Sequence, residues 1–329
     1  MRIISSCAAA LLAVTALVGC TPDADTASEK SSSLASGTFP VTLTHASGTT
    51  TLKAQPRRIV VLDMAALDTI DAIGAGDAVV GTITDSLPDW LSDDKGVDYS
   101  TTTSVGTLKE PDVEAIAALQ PDLVVVASRS ASYAESFSQK WPTIDTTVSW
   151  EKDGDYTEQA RSQVKLLGQA TGHETEAARA IKTIDATVKR YTDTARDRGS
   201  AAVVMVSGSE LSLHGARSRW APLFDVFGFT PVELSSQGAD EGHKGQKISF
   251  ETLADLDPEW IFVVDRDAAI GQGNSGTSAK QVMANDLVAS TRAARNDHIV
   301  YLDSQRWYVV MTGATNYVAE LNEVGRALK

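Results

Sequence analysis

One stretch of the sequence occurs twice, and this repeat constrains the possible folds more than any other feature. Residues 112–126 and 249–263 have the same order of residue types: a glutamate near the start (Glu114 or Glu251), then a proline, an acidic residue and an apolar run. This order predicts a short helix followed by a buried strand. A helix–strand unit that appears in both halves of a chain predicts two similar lobes.

Strands and helices are predicted to alternate on both sides of a long helical segment, which covers residues 157–198 and is interrupted at Gly168 and Gly172. Alternation of this kind is typical of a parallel sheet with helices on both faces, so the expected fold class is α/β. We expect an N-terminal lobe at residues 41–167, a connecting helix at 168–198 and a C-terminal lobe at 199–329. Two lobes on either side of a rigid helix enclose a cleft, and such clefts bind ligands.

The N-terminus has the features of an export signal. Arg2 precedes an apolar run that is too short to span a membrane but has the length of a signal-peptide core. The run ends at Cys20 in a pattern that resembles the lipobox of bacterial lipoproteins. We therefore expect residues 1–19 to be removed and residues 20–40 to form the lipidated cysteine and a flexible tether. The implied location is the outer face of the cytoplasmic membrane.

Composition argues against several classes of function. The chain carries 29 Lys+Arg and 43 Asp+Glu, a formal net charge of −14, so it repels a phosphate backbone and we expect no nucleic-acid partner. Its two cysteines, Cys7 and Cys20, are too few for a disulfide scaffold or a thiolate zinc cluster. The hydrolase motifs G-x-S-x-G and H-E-x-x-H do not occur in the sequence. Hydrolase chemistry therefore has no recognisable motif in this sequence.

Three arginines, Arg129, Arg219 and Arg266, each come shortly after a predicted strand. Ligands of open α/β sheets bind at the carboxyl ends of the strands. A guanidinium group binds anions through its planar fork of donors and keeps its charge when it is buried. In an acidic chain, three arginines at such positions indicate an anion-binding cleft.

Two further side chains are candidate metal ligands. His243 lies in a glycine-bearing loop, and Tyr308 follows the last predicted strand. The chain has five histidines, and none of them is paired with another at helical spacing. A site for free zinc or manganese is therefore not expected.

The likeness to a known family rests on four segments, residues 57–74, 105–112, 263–266 and 301–308. Together they resemble the lipoprotein receptors of iron–siderophore ABC importers, and within these the branch that binds catecholate siderophores. The likeness extends from about residue 40 to residue 329. It implies two Rossmann-like lobes joined by a single long helix, the fold of class III solute-binding proteins, and a shallow cleft that moves little on binding.

The resemblance also implies roles for particular residues. The three arginines would hold the ferric complex, and His243 and Tyr308 would bind iron when the siderophore is tetradentate. Lys109 and Trp307, which lie in two of the four segments, complete the expected ligand contacts. Arg306 stands where relatives often carry an aromatic residue.

The same resemblance implies the partners. The protein would be a monomer with no permanently bound cofactor. It would take a Fe(III)–siderophore as its cargo and deliver it to an ABC permease and its ATPase. Glu114 and Glu251, one in each lobe, would contact basic sockets of the permease. The alternative for both glutamates is a favourable interaction with the N-terminal dipole of a helix.

Two other functions remain open on the sequence alone. A haem- or cobalamin-binding receptor of the same fold would use Tyr308 or His243 as an axial ligand. The second is an enzyme built on a two-lobed α/β fold. The export signal and the missing catalytic motifs argue against an enzyme.

Overall fold

Two sheets, one in each lobe, organise the computed structural model, which describes residues 37–92, 96–149, 155–195, 197–234, 245–271 and 278–329. The expected signal peptide, Cys20 and nearly all of the expected tether lie outside the described residues, and so does His243. Expectations about these residues therefore stay predictions.

The sheet of the N-terminal lobe is parallel throughout, as the sequence predicts. Its strands are β3 (Ile59–Val61), β4 (Val79–Thr82), β5 (Thr103–Ser104), β6 (Leu123–Val126) and β7 (Thr143–Asp145), in the order β5-β4-β3-β6-β7. The lobe also contains the antiparallel hairpin β1 (Val41–His45) and β2 (Gly48–Leu52), and the helices α1 (Met64–Ala72), α2 (Val113–Ala118) and α3 (Ala134–Ser138). Every residue of β3 and β6 is buried, because both are unbroken apolar runs of the kind that central parallel strands require.

Two helices follow in the chain, divided at Gly172, one of the two glycines that interrupt the predicted helical segment. They are α4 (Tyr156–Thr171) and α5 (Glu174–Thr192). Gly172 ends α4 with a φ of +73°, a left-handed conformation that glycine adopts at little cost. The helix expected at residues 168–198 is therefore shorter, and α5 is about 28 Å long at 1.5 Å per residue. Within the described ranges, no helix combines the length and the apolar character that a membrane span needs.

The sheet of the C-terminal lobe is mixed, which corrects the expectation of a purely parallel sheet. Its main strands are β8 (Ser200–Ser207), β9 (Glu210–His214), β11 (Gln246–Ile248), β12 (Trp260–Asp265) and β13 (Ile299–Tyr301), in the order β11-β9-β8-β12-β13, and the short β10 (Thr230–Pro231) pairs with β8. β9 runs antiparallel to β8 because a two-residue turn joins them: Ser207 pairs with Glu210, and Gly208 has a φ of +59°. Glycine followed by serine between two strands is a hairpin signal that the strand–helix alternation obscured.

Short helices cover this second sheet, and a longer one ends the chain. They are α6 (Ala221–Asp225), α7 (Phe250–Leu256), α8 (Arg266–Ala269), α9 (Ala279–Val282), α10 (Asp286–Ala289), α11 (Arg292–Arg295) and α12 (Ala314–Ala327), with a π-helix at Arg306–Val310. α12 packs against α1 and α5, so the last helix, although it belongs to residues 199–329, lies at the junction of the lobes. One buried apolar core is continuous from the N-terminal lobe through α12.

The repeated unit is present in both lobes. α2 begins at Asp112, whose carboxylate accepts hydrogen bonds from the N–H groups of Glu114 and Ala115 at 3.0 Å. α7 begins at Ser249, whose hydroxyl accepts from the N–H of Thr252 at 3.1 Å. These helices lead into β6 and β12, and each of these strands pairs in parallel with the strand that opens its lobe's main sheet, β3 or β8. The prediction of two lobes that share a helix–strand unit is confirmed.

The two lobes are joined at the start of α12 by a carboxylate of α1. Gly313 precedes α12 and has no side chain to cap it. Instead, Asp68 accepts hydrogen bonds from the N–H groups of Thr315 (2.8 Å) and Asn316 (3.1 Å), and also from the indole N–H of Trp90 (3.0 Å). Burial raises the pKa of Asp68, and these hydrogen bonds oppose the rise. A helix start that depends on another helix fixes the relative position of both.

We expect Asp68→Ala to lower the free energy of unfolding by about 2 kcal/mol, because three donors in a buried site lose their acceptor. Asp112→Ala is the matched control, since Asp112 caps α2 from within its own exposed segment, and its loss should cost about 1 kcal/mol or less. Urea unfolding at neutral pH measures both. Equal losses for the two variants would contradict the joining role of Asp68.

Candidate functional site

A cavity of about 650 Å³ is lined by residues of both lobes. Its charged residues are five cations and one carboxylate: Lys109, Arg129, Arg219, Lys247, Arg266 and Glu210. Glu210 is paired with Lys247, so it does not neutralise the arginines. The described wall of the cavity is therefore strongly positive, although the chain as a whole has a net charge of −14.

Two arginines from different lobes meet at one backbone oxygen. The guanidinium groups of Arg129 and Arg219 donate to the carbonyl oxygen of Tyr308, at 3.2 Å and 3.1 Å. The Arg219 side chain also lies against two rings, 4.7 Å from the centre of the Tyr308 ring and 5.4 Å from that of Trp220. Such contacts offset part of the cost of burying a cation.

Arg219 is only 5% exposed, which makes it the most deeply placed cation of the cavity wall. Burial, together with the positive charge of Arg129, lowers the pKa of Arg219 to about 10. A group with this pKa is still protonated at neutral pH. The cavity therefore presents a fixed positive charge that is shielded from water.

The third arginine binds the phenol end of Tyr308. Arg266 begins α8 directly after β12, and its Nε donates to the Tyr308 hydroxyl oxygen at 3.3 Å. The same guanidinium donates to Ser207 (3.2 Å) and pairs with Asp267 (3.3 Å). Tyr308 is thus held at its carbonyl, its ring and its hydroxyl by three arginines.

The surroundings of Tyr308 change its acidity. Burial alone would raise the pKa of the phenol, but the charge of Arg219, the hydrogen bond from Arg266 and the charge of Arg129 together lower the pKa below its usual value. A phenol with a lowered pKa is a better ligand for a hard cation, because the phenolate is the coordinating form.

Arg219 reaches the cavity by a route that the sequence argument did not foresee. Arg129 and Arg266 follow the carboxyl ends of the parallel strands β6 and β12, but Arg219 follows the antiparallel strand β9. After β9, the hydroxyl of Ser218 donates to the carbonyl oxygen of Gly215 at 2.6 Å and closes a turn. This turn places Arg219 beside the other two arginines.

The other expected ligand contacts divide into two groups. Lys109 lines the cavity with Arg129 on the side of the N-terminal lobe. Trp307 does not line it: the side chain is 1% exposed, and its indole N–H donates to Glu323 at 2.8 Å. The expectation that Trp307 contacts the ligand is therefore corrected. Trp307 precedes Tyr308 in the π-helix, where successive side chains point in different directions, so one side chain enters the core and the other faces the cavity.

Arg306 lies at the junction of the lobes and outside the cavity lining. Its guanidinium stacks on the Trp90 ring at 4.0 Å, pairs with Asp303 at 3.3 Å and donates to Asn316 at 3.3 Å. The ligand therefore does not meet this additional charge directly. Across the described part of the chain, His, Cys, Asp and Glu side chains form no cluster of three or more that could hold a metal ion.

The structure adds three apolar residues to the cavity lining, Met205, Leu211 and Met311. Met205 and Leu211 lie on the paired strands β8 and β9, but their side chains leave opposite faces of the sheet, because Met205 pairs with Ser212 and Leu211 pairs with Val206. Met311 follows the π-helix, and no pattern in the sequence points to it.

Comparison with known proteins identifies the family. Residues 59–306 match the family described as periplasmic binding protein. The chain belongs to this family. The α/β architecture of the chain agrees with that of solved periplasmic binding proteins.

Individual relatives in this family are similar over nearly their whole length. The petrobactin-binding protein YclQ of Bacillus subtilis is 32% identical over 281 residues, 85% of each chain. Its crystal structure has a TM-score of 0.78 and covers 88% of this chain and 98% of that one. The periplasmic catecholate-siderophore binding protein VctP from Vibrio cholerae is 33% identical, with a TM-score of 0.76, and covers 86% of this chain and 99% of that one. The ferric-anguibactin-binding protein FatB of Vibrio anguillarum is 28% identical over 287 residues, 87% of this chain and 86% of that protein.

The acidity of Tyr308 can be measured. We expect Arg219→Gln to raise the pKa of the Tyr308 phenol, because the positive charge that favours the phenolate is lost while the burial that disfavours it remains. Ultraviolet absorbance of phenolate during an alkaline titration, with Tyr308→Phe as the reference, isolates this group. Arg179→Gln, on the exposed face of α5, should leave the titration unchanged. An unchanged titration in Arg219→Gln would contradict the assignment.

Proposed function

We propose that this periplasmic binding protein captures ferric siderophores, above all catecholates, outside the cytoplasmic membrane and delivers them to an ABC importer. The observation that carries the proposal is the convergence of Arg129, Arg219 and Arg266 on Tyr308 in a cavity between the lobes. The names of similar proteins, which include petrobactin-, anguibactin- and catecholate-binding receptors, agree with it. The protein acts by binding alone, and no catalytic step is part of the proposal.

The charge of the cavity suits a ferric catecholate. Three catecholates bound to one Fe(III) leave a complex with about three negative charges, and three guanidinium groups with Lys109 compensate them. The net charge of −14 opposes the approach of an anion, so the local cations must exceed this repulsion inside the cavity. Because water is partly excluded there, each charge acts more strongly than it would on the surface.

Iron itself would meet the protein only when the siderophore leaves coordination positions free. For a tetradentate siderophore, we propose Tyr308 and His243 as the two additional ligands. The lowered pKa of Tyr308 supports this role, since Fe(III) prefers an anionic oxygen. A hexadentate siderophore fills the coordination shell of the iron. Tyr308 and His243 would then contact the siderophore without coordinating the metal.

The attachment to the membrane follows from the N-terminal sequence. We propose that the chain is cleaved before Cys20, lipidated at this residue and held at the outer face of the cytoplasmic membrane. Several similar proteins carry the word lipoprotein in their names, which agrees with this location. We propose that the polar segment between Cys20 and the β1–β2 hairpin is a tether that lets the folded part reach a permease.

Quenching of tryptophan fluorescence by a panel of ferric siderophores tests the function. We expect Arg129→Ala, Arg219→Ala and Arg266→Ala each to weaken binding by roughly 1.5–3 kcal/mol, the scale of a charged hydrogen bond. That corresponds to about tenfold or more in Kd. Arg179→Ala is the surface control and should bind like the wild type.

Two outcomes would count against this assignment. If two of the three replacements left Kd within twofold of the wild type, the arginines would not be the anion site. Saturable binding of haem with a Soret band, in the absence of siderophore binding, would favour a haem receptor of the same fold.

Docking to the permease is proposed for Glu114 and Glu251. Both are exposed in the first turn of equivalent helices, α2 and α7. One acidic contact from each lobe fits a permease with two-fold symmetry. Exposed charges of this kind mainly control association and specificity.

We expect the double variant Glu114→Ala/Glu251→Ala to keep its Kd for the ligand and its stability, while uptake by cells that carry it collapses. Glu110→Ala/Asp255→Ala is the matched control, because these acids are also exposed, the first just before α2 and the second within α7. It should transport normally. Normal uptake by cells with Glu114→Ala/Glu251→Ala would mean that both glutamates only stabilise the starts of their helices.

A further inference from the structure

Met311 has a backbone conformation that is unusual for its residue type. Its φ is +52° and its ψ is −108°, which corresponds to the first central position of a type II′ turn, where glycine is strongly preferred. The other non-glycine residues with positive φ in the described ranges are Gln120, Ser128, Asp257 and Asp297, all polar. Met311 is the apolar member of this set, and a side chain there carries a free-energy cost.

The surroundings hold Met311 in this conformation from both sides. Its N–H donates to the carbonyl oxygen of Arg306 at 2.7 Å, and its own carbonyl oxygen accepts from the amide of Asn316 at 2.8 Å. The first bond closes the π-helix that carries Tyr308, and the second joins it to α12. The free-energy cost of the positive φ therefore falls in the segment that places Tyr308 beside the arginines.

The side chain of Met311 is delivered to the cavity wall. It is 5% exposed and lies in the same wall as Met205 and Leu211, which are 8% and 2% exposed. These three are the aliphatic and thioether side chains of a lining whose other residues are largely charged or polar. Strained residues that persist next to a binding site indicate a constraint from binding.

The arginines and the thioether of Met311 would recognise different properties of a ligand. Guanidinium groups bind any anionic ferric complex of suitable size, whether or not it contains aromatic rings. A flexible thioether packs against aromatic rings, with an attractive contact between sulfur and ring. A catecholate has both the charge and the rings, whereas a carboxylate complex such as Fe(III)–citrate has only the charge.

We propose that Met311 is a specificity-determining residue whose thioether contacts an aromatic ring of the bound catecholate. The strained backbone is retained because it places this side chain in the cavity wall. The inference rests on the proposed function and adds to it the class of ligand that the site selects. In this proposal Met311 distinguishes aromatic from non-aromatic ferric complexes, a distinction that the arginines do not make.

A series at residue 311 separates the side chain from the backbone. The probe is the ferric catecholate that the wild type binds most tightly in the fluorescence titration. We expect Met311→Leu to bind within threefold of the wild type, since it keeps the apolar volume, and Met311→Ala and Met311→Gly to lose about tenfold each. Met311→Gln, with a similar length and a polar end, should lose about fivefold and serves if the smaller residues prevent folding.

The backbone contribution appears in the thermal stability. Glycine normally destabilises a regular element relative to alanine, but at residue 311 we expect Met311→Gly to have a Tm a few degrees above that of Met311→Ala. Val309→Ala and Val309→Gly are the matched control, because Val309 lies in the π-helix without a positive φ. There the usual order, with glycine lower, should hold. A Tm of Met311→Gly below that of Met311→Ala would contradict a strained backbone at residue 311.

The ring contact has its own counter-tests. If Met311→Ala or Met311→Gln had a Kd for the ferric catecholate within twofold of the wild type, the proposed ring contact would be wrong. A change in the Tyr308 phenol pKa in these variants would also contradict it, because it would mean that the arginines had moved and that Met311 acts through them. If the wild type bound no ferric siderophore, the proposed function itself would fail, and this result is distinct from either outcome.

Discussion

The mutual repulsion of the arginines is the constraint that the rest of the binding site satisfies. Arg129 and Arg219 come from different lobes and would separate if only their charges acted, yet both donate to the carbonyl oxygen of Tyr308. Buried cations are tolerated where oxygens and ring faces supply compensating partial charges. One tyrosine provides a carbonyl, a ring and a hydroxyl for this purpose. The cavity keeps an excess of positive charge, and an anionic ligand relieves it.

Such an arrangement requires that the two lobes do not drift apart. Buried hydrogen bonds cross between them near Tyr308: Thr157 with Tyr317 at 2.8 Å, Thr312 with Gln163 at 2.7 Å, and the capping of α12 by Asp68. The apolar core is continuous across the same junction. A site that is already assembled loses less conformational entropy when a ligand binds. These contacts fix the arginines of the two lobes relative to each other before any ligand arrives.

The sequence predicts those features that depend on local pattern. The repeat predicts α2 with β6 and α7 with β12, and the ends of parallel strands predict the positions of Arg129 and Arg266. It does not predict features that depend on contacts between distant residues or on irregular backbone. The π-helix separates the directions of Trp307 and Tyr308, although the two are adjacent in a segment that resembles known receptors. The positive φ of Met311 leaves no trace in hydrophobic periodicity.

The capping of α12 by α1 has a consequence for how the chain acquires its structure. Asp68 and Thr315 are 247 residues apart in sequence, so one of the contacts that join the two lobes can form only after nearly the whole chain has been synthesised. Contacts of such high sequence separation slow folding and make it depend on the complete polypeptide. A nascent or C-terminally truncated chain would expose the face of α1 that α12 covers. Cooperative folding of the two lobes therefore requires that α12 has been synthesised and has packed against α1.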